Sequence, residues 1–329
     1  MSDGLATHFS EKPNIVLIIT DQERAVMHWP DGWAEANLPA RSRLRAHGLT
    51  FTHATCNSAT CSPSRATLLT GLYPAQHGVK TLLQSDRPIS RAQNRLRVLP
   101  GHLPNLARVL EDAGYYVVYK GKFHLSKPVR YNRWQKRLAW SEADVDHMAD
   151  TYGFHEWNPP DVGDPKAVYA YGGGSINNDG RYVDGTGTAL GRRVRRDEAY
   201  ERCAVGFLNN YDGDRPFCLI VSLAGPHDVQ GYPGRGIKGL GLKPLYARGG
   251  YDLDAFQHLP IGAPPTVDED ITTKPPVHRA IRRILNVGVG ACRTRQQQET
   301  YARFYAYLCR EADRQILKVL DALDANGLT

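Results

Sequence analysis

The chain has 329 residues, 41% of them hydrophobic and 23% charged, a balance that excludes collagen-like and disordered classes and suits one large or two modest globular domains. Its 41 lysines and arginines outnumber 34 aspartates and glutamates, with clusters in "RRVRR" (192–196) and "HRAIRR" (278–283), so an anionic partner is expected. No zinc finger, basic recognition helix or aromatic-interleaved basic groove accompanies that charge, which argues against nucleic acid and for a small anionic substrate.

The first element is "NIVLIIT" (14–20), a continuous apolar β-rich run that ends at Asp21 and reads as a buried central strand. "LPARSRLRAHG" (38–48) reads as a short helix closed by Gly48, and "LTFTHA" (49–54) as a short strand. "SRATLLTG" predicts a helix from about Ser64 to Thr70 with Gly71 as its C-cap. "LPNLARVLEDAG" (103–114) places Leu103, Leu106, Leu110 and Ala113 on one face, with Pro104 near its start and Gly114 at its end. "YYVVYKG" (115–121) is the next strand, "DEAYERCAVGFLNNY" (197–211) a helix, and "FCLIVSL" (217–223) another buried strand. The last and longest helix runs from roughly 295 to 325, with apolar residues at helical spacing and Gly327 as its stop. Loop-rich insertions are expected near 126–190, including "GGG" at 172–174, and near 231–278. Strands alternating with helices predict an α/β fold with a mostly parallel central sheet flanked by helices.

No run approaches the ~18–20 apolar residues of a membrane span, so no membrane association is expected. The N-terminus lacks a basic region followed by an apolar one, and six scattered cysteines do not resemble a disulfide framework. A cytoplasmic location is the expectation.

In an open α/β sheet, ligands bind beyond the carboxyl ends of the strands. Asp21 ends the first strand, Lys122 and His124 of "GKFH" follow the second, and His227 of "GPHDV" follows the third. Each alone has a bland reading: a turn cap, a surface pair, a structural histidine. Together they put a carboxylate, an ammonium and two imidazoles where a tetrahedral oxyanion and a hard cation could sit. Cys61 stands at the front of a helix, a position that favours a thiolate.

"CSPSRATLLTG" (61–71) resembles the signature of the sulfatase family, Cys-x-Pro-Ser-Arg followed by "LTG", position by position. "GKFHL" (121–125) resembles the second sulfatase signature, with Phe123 where tryptophan is usual. "NIVLIITDQ" (14–22) is similar to the family's metal-binding first strand and "PHDV" (226–229) to its Pro-His turn. "GLYPAQHGV" (71–79) and "LPNLARVLEDAGYYV" (103–117) follow the family's order.

The resemblance implies an alkaline-phosphatase-like fold and a sulfuric ester hydrolase. It implies that a formylglycine-generating maturation enzyme, reading Pro63 and Arg65, oxidises Cys61 to the aldehyde Cα-formylglycine. One hydroxyl of the aldehyde hydrate attacks sulfur, and the other, once deprotonated, expels sulfate and restores the aldehyde. By position, Asp21, Gln22 and residue 61 would hold a divalent metal, Ca²⁺ by donor chemistry with Mn²⁺ or Mg²⁺ as alternatives. Arg65 would steady the hydrate, His124 would take the proton that releases the ester, and Lys122 and His227 would contact the sulfate oxygens.

Two departures qualify these expectations. Many sulfatases carry two adjacent aspartates where this chain has Asp21-Gln22, which keeps a phosphonate monoester or phosphodiester hydrolase as the alternative. The family's later Asp-His or Asp-Asn metal pair has no counterpart before Thr329, since "VDEDI" (267–271) lies too early. The expectation is therefore the N-terminal portion of a single catalytic domain spanning 1–329, with a non-catalytic homologue or binding module as the other reading. Self-association into an oligomer is compatible with either.

Overall fold

Three apolar runs pair with one another and leave their polar ends on one edge. The computed structural model describes residues 12–25, 28–83, 98–132, 137–159, 161, 175–176, 194–231, 252, 254–288 and 291–328. In chain order these form β1 (Ile15–Asp21), α1 (Trp33–Asn37), α2 (Pro39–His47), α3 (Cys61–Thr70), α4 (Pro74–His77), α5 (Leu106–Asp112) and β2 (Tyr116–Gly121). A hairpin of β3 (Arg130–Asn132) and β4 (Arg137–Ala139), α6 (Ala143–Tyr152), and a second small pair of β5 (Ser175–Ile176) with β6 (Val194–Arg195) follow. The chain then continues through α7 (Arg196–Asn210), β7 (Phe217–Pro226), α8 (Pro276–Gly288) and α9 (Arg295–Ala325).

The main sheet has the order β1-β7-β2 with both pairings parallel. Every residue of β7 is buried, because both of its edges are paired and both of its faces covered. Leu219, Val221 and Leu223 pack on one side against Phe207 and Leu208 of α7 and Ile316, Val319 and Leu320 of α9. Cys218 and Ile220 face the opposite layer, with Ala66 and Leu69 of α3, Ala107 of α5 and Met148 of α6. The two-residue alternation of a strand divides these sets. The α/β fold with a parallel sheet between helices is thus the one expected.

Several boundaries differ from the sequence reading. β1 is half-buried and pairs only with β7 among the described residues, so β7 takes the centre. An apolar run alone does not distinguish those two places. No strand forms over residues 49–54, where Leu49 is 91% and Phe51 81% exposed; β-prone residues need a partner strand for their backbone groups, and none is present among the described residues. Helix α3 starts at Cys61 rather than Ser64, since proline is tolerated in a first turn and Pro63 sits there. Gly71 caps it in the left-handed conformation, φ 71°. Gly48 follows α2 with an extended backbone instead. Helices α1, α4, α6 and α8 and the short strands β3 to β6 were not anticipated; α6 lies in the expected insertion at 126–190 and most of α8 beyond the one at 231–278. The "GGG" run at 172–174 falls outside the described residues.

Helix α5 begins at Leu106, not Leu103, because Asn105 is extended and its side chain accepts from Ala107 N at 2.9 Å and Arg108 N at 3.2 Å. Asn105→Ala is expected to cost about 1 kcal/mol, read as a lower urea midpoint at unchanged m-value.

Candidate active site

The carboxyl ends of β1, β7 and β2 converge, and Arg65 joins them. One turn into α3, its guanidinium is buried and makes four hydrogen bonds. Nε and Nη2 donate to Asp21 Oδ2 at 3.3 and 3.0 Å, and Nη1 donates to the Lys122 carbonyl at 2.6 Å and Ser222 Oγ at 2.7 Å. The helix is thereby fixed to the last residue of β1, to the residue after β2 and to the middle of β7. The Lys122 carbonyl also accepts from Tyr119 Oη and Ser222 Oγ, each at 2.7 Å.

Asp21 is buried, and its Oδ2 also lies 2.7 Å from Lys122 Nζ. Burial alone would raise its carboxyl, but Lys122, then Arg65 and His227, hold it far below the usual carboxylate range. It is a fixed anion among cations. Gln22 turns away from the strand with φ 61°. Tyr305 of α9 anchors that turn, donating to the Gln22 carbonyl at 3.1 Å and accepting from Arg24 N at 2.9 Å.

Cys61 opens α3, where the first-turn amides favour negative charge. Its Sγ is 3.3 Å from His124 Nδ1. The other ring nitrogen, Nε2, is 2.7 Å from the Leu83 carbonyl, which can only accept. Nε2 therefore carries the proton. Burial, then Lys122, push the imidazole down to about 3, so the ring is neutral and Nδ1 offers its lone pair to residue 61. His124 itself is left-handed, φ 59°. The backbone N–H groups of Phe123 and His124 donate to Asp161 Oδ1 and Oδ2 at 3.1 and 2.5 Å.

His227 follows the cis Gly225–Pro226 bond at the end of β7, where Pro226 pairs with Asp21 beyond a register shift in the β1–β7 ladder. Burial, then Lys122, push its imidazole down to about 4, and its Nδ1 is buried without a hydrogen-bond partner among the described residues. A buried ring nitrogen without a partner suits a ligand hydroxyl, or, in the tautomer that protonates it, a ligand oxygen.

Asp21, Gln22, Cys61, Arg65 and His227 line one cavity of about 410 Å³, with Leu68 and Leu82 on its walls. Lys122 and His124 stand behind that lining, both buried, and reach it through Asp21 and Cys61. All the residues singled out in the sequence are thus gathered at one place. Ser222, Tyr119, Asp161, Tyr305 and the Leu83 carbonyl were missed. Ser222 left a signal, a hydroxyl inside a wholly apolar strand; Asp161 and Tyr305 left none.

The donor set fits a hard cation in kind. Asp21 Oδ1 accepts no hydrogen bond among the described residues, and Gln22 shares its cavity. These are two oxygen donors where Ca²⁺ takes 6–8, and no cluster of three or more His, Cys, Asp or Glu suited to a metal occurs among the described residues.

A family model described as Sulfatase matches residues 13–329. An uncharacterized sulfatase of Escherichia coli, YidJ, is 27% identical over 221 residues, covering 66% of this chain and 39% of that protein. The choline-sulfatase of Rhizobium meliloti is 26% identical over 223 residues, again 66% and 39%. Among solved structures, a 2-O GAG sulfatase superposes with TM-score 0.58 at 20% identity, covering 96% of this chain and 55% of its own. The phosphonate monoester hydrolase of Agrobacterium radiobacter gives 0.55 at 17%, covering 96% and 60%. The chain therefore spans well under two thirds of the length of the curated relatives described.

Proposed function

The chain belongs to the sulfatase family, and from that premise we propose that its cavity cleaves a sulfate monoester with residue 61 as nucleophile, after Cys61 is converted to formylglycine. The observation that carries this reading is the pair at the front of α3: Cys61 Sγ with a neutral, correctly tautomeric His124 Nδ1 at 3.3 Å.

Maturation is a two-electron oxidation in which the side chain's sulfur leaves as sulfide, an oxygen takes its place, and the maturation enzyme supplies the oxidant. The matured residue, as an aldehyde hydrate, supplies one hydroxyl to take the sulfuryl group and a second whose deprotonation frees sulfate. His124 Nδ1 accepts that proton, because its Nε2–H is already committed to Leu83. Arg65 and Lys122 hold Asp21 ionised and leave a net positive floor beneath the anionic ester. His227 Nδ1 lies at the cavity wall as the group nearest in chemistry to the departing oxygen. Asp21 and Gln22 would hold a divalent cation, Ca²⁺ by preference, which when bound supplies Lewis-acid stabilisation of oxygen charge.

The test is direct. Coexpressed with a formylglycine-generating enzyme, the peptide containing Cys61 should lose about 18 Da, the stoichiometric difference between a thiol and an aldehyde side chain. The matured chain is then assayed on 4-nitrophenyl sulfate and on a phenyl phosphonate monoester. A thiol that stays unmodified would overturn the reading; hydrolysis far faster on the phosphonate would move it to that relative, the reading which Gln22 in place of a second aspartate favours.

A further inference from the structure

We propose that Asp161 is a positioning residue for His124, gripping two successive backbone amides so that the imidazole is turned to residue 61. The inference rests on the functional reading above and extends it to a residue far from both signatures.

Asp161 is 1% exposed, and a carboxylate that deeply buried is stable only when its oxygens are matched by donors. Two of those donors are known. Oδ1 takes the N–H of Phe123 at 3.1 Å and Oδ2 takes the N–H of His124 at 2.5 Å. Charge-assisted bonds of this kind are short and strong. They hold a stretch of backbone that needs holding. His124 has φ 59°, a region that residues other than glycine rarely occupy, and such a conformation persists only when its surroundings over-determine it. From that backbone the ring reaches Cys61 Sγ on one side and the Leu83 carbonyl on the other. A relaxed, right-handed or extended His124 would point its ring elsewhere and lose both contacts. Phe123, buried among Tyr119, Tyr152 and Phe154, pins the preceding residue by packing. Packing fixes where the turn is; the carboxylate fixes its hand.

Asparagine at 161 keeps one acceptor and presents an NH₂ to the second amide, so one bond becomes a repulsion. In the full chain matured at residue 61, Asp161→Asn is expected to lower kcat on 4-nitrophenyl sulfate by about 10–10²-fold, the cost of a misplaced reacting group. KM should stay within about twofold, because Asp161 is not among the residues that line the cavity. Asp161→Glu, which keeps the charge on a longer arm, should fall between wild type and Asp161→Asn. A merely structural role would lower the melting temperature and leave kcat per folded molecule alone, and that result overturns the proposal. NMR supplies a readout independent of turnover. The His124 amide proton of the unmatured chain should resonate far downfield, and Asp161→Asn should move it upfield together with the His124 ring signals. If the matured wild type hydrolyses neither ester, the functional reading fails while the NMR arm still decides this one: unmoved His124 ring signals in Asp161→Asn overturn it. If Asp161→Asn does not fold, Asp161→Glu carries the same measurements, and wild-type ring positions together with wild-type kcat overturn the proposal.

Discussion

Arg65→Met should destabilise the fold by about 3–5 kcal/mol, the range for removing one partner of a buried ion pair. The side chain's length and apolar stem are kept, so the loss reads the guanidinium alone. Four hydrogen bonds go with it, and they run to the end of β1, to β7 and to the residue after β2. The Lys122 carbonyl retains Tyr119 and Ser222 as donors, so it is not orphaned. Asp21 retains Lys122. What is lost is the link between α3 and the sheet, along with half the positive charge that offsets the burial of Asp21. Arg65→Lys should recover little of it, because an ammonium cannot span Asp21 on one side and Ser222 on the other. Pairing Arg65→Met with Asp21→Asn should give less than the sum of the two losses, since the second change removes the anion that the first left under-compensated. Urea unfolding of the four variants measures all of this. A loss below about 1 kcal/mol for Arg65→Met would mean that Arg65 serves the cavity and not the fold.

Arg65 carries a task that its motif does not announce. The resemblance implies that it steadies the hydrate, and it does line the cavity, but four of its hydrogen bonds also tie α3 to the sheet. The three strands of the main sheet were legible because apolar runs of about seven residues have few other fates in a chain of this size. Their order was not, because β1 and β7 read alike and only pairing on both edges makes β7 central. The expected strand at 49–54 failed for the opposite reason: its residues favour extension, but extension without a partner leaves the backbone to water. The site was legible as a set of strand ends plus one helix start. The two positive-φ residues, Gln22 and His124, were not. Nothing in a glutamine or histidine announces a left-handed backbone, and their supports, Tyr305 and Asp161, come from 283 and 37 positions away.

Exchanging Cys61 for alanine in the matured chain should abolish turnover, by on the order of 10⁴-fold or more, as removal of a covalent nucleophile does. Cys61→Ser is the more informative change. Serine keeps one hydroxyl at the front of α3, within reach of His124 Nδ1, and remains an alcohol when no maturation enzyme is coexpressed. It can accept the sulfuryl group once. It has no second hydroxyl on the same carbon, so His124 has no proton to take that would expel sulfate, and release would need a fresh attack by water at sulfur. The expected result is a burst of at most one nitrophenol per chain, followed by a near-zero steady state. Intact-mass measurement after the burst should show an adduct of about 80 Da, the mass of one SO₃ group, located on the peptide that carries residue 61. His124→Ala added to Cys61→Ser should slow the burst without changing the adduct's mass, since the base assists and does not carry the group. Sustained turnover by Cys61→Ser would mean that a single hydroxyl suffices, and the aldehyde would lose its reason for being at residue 61.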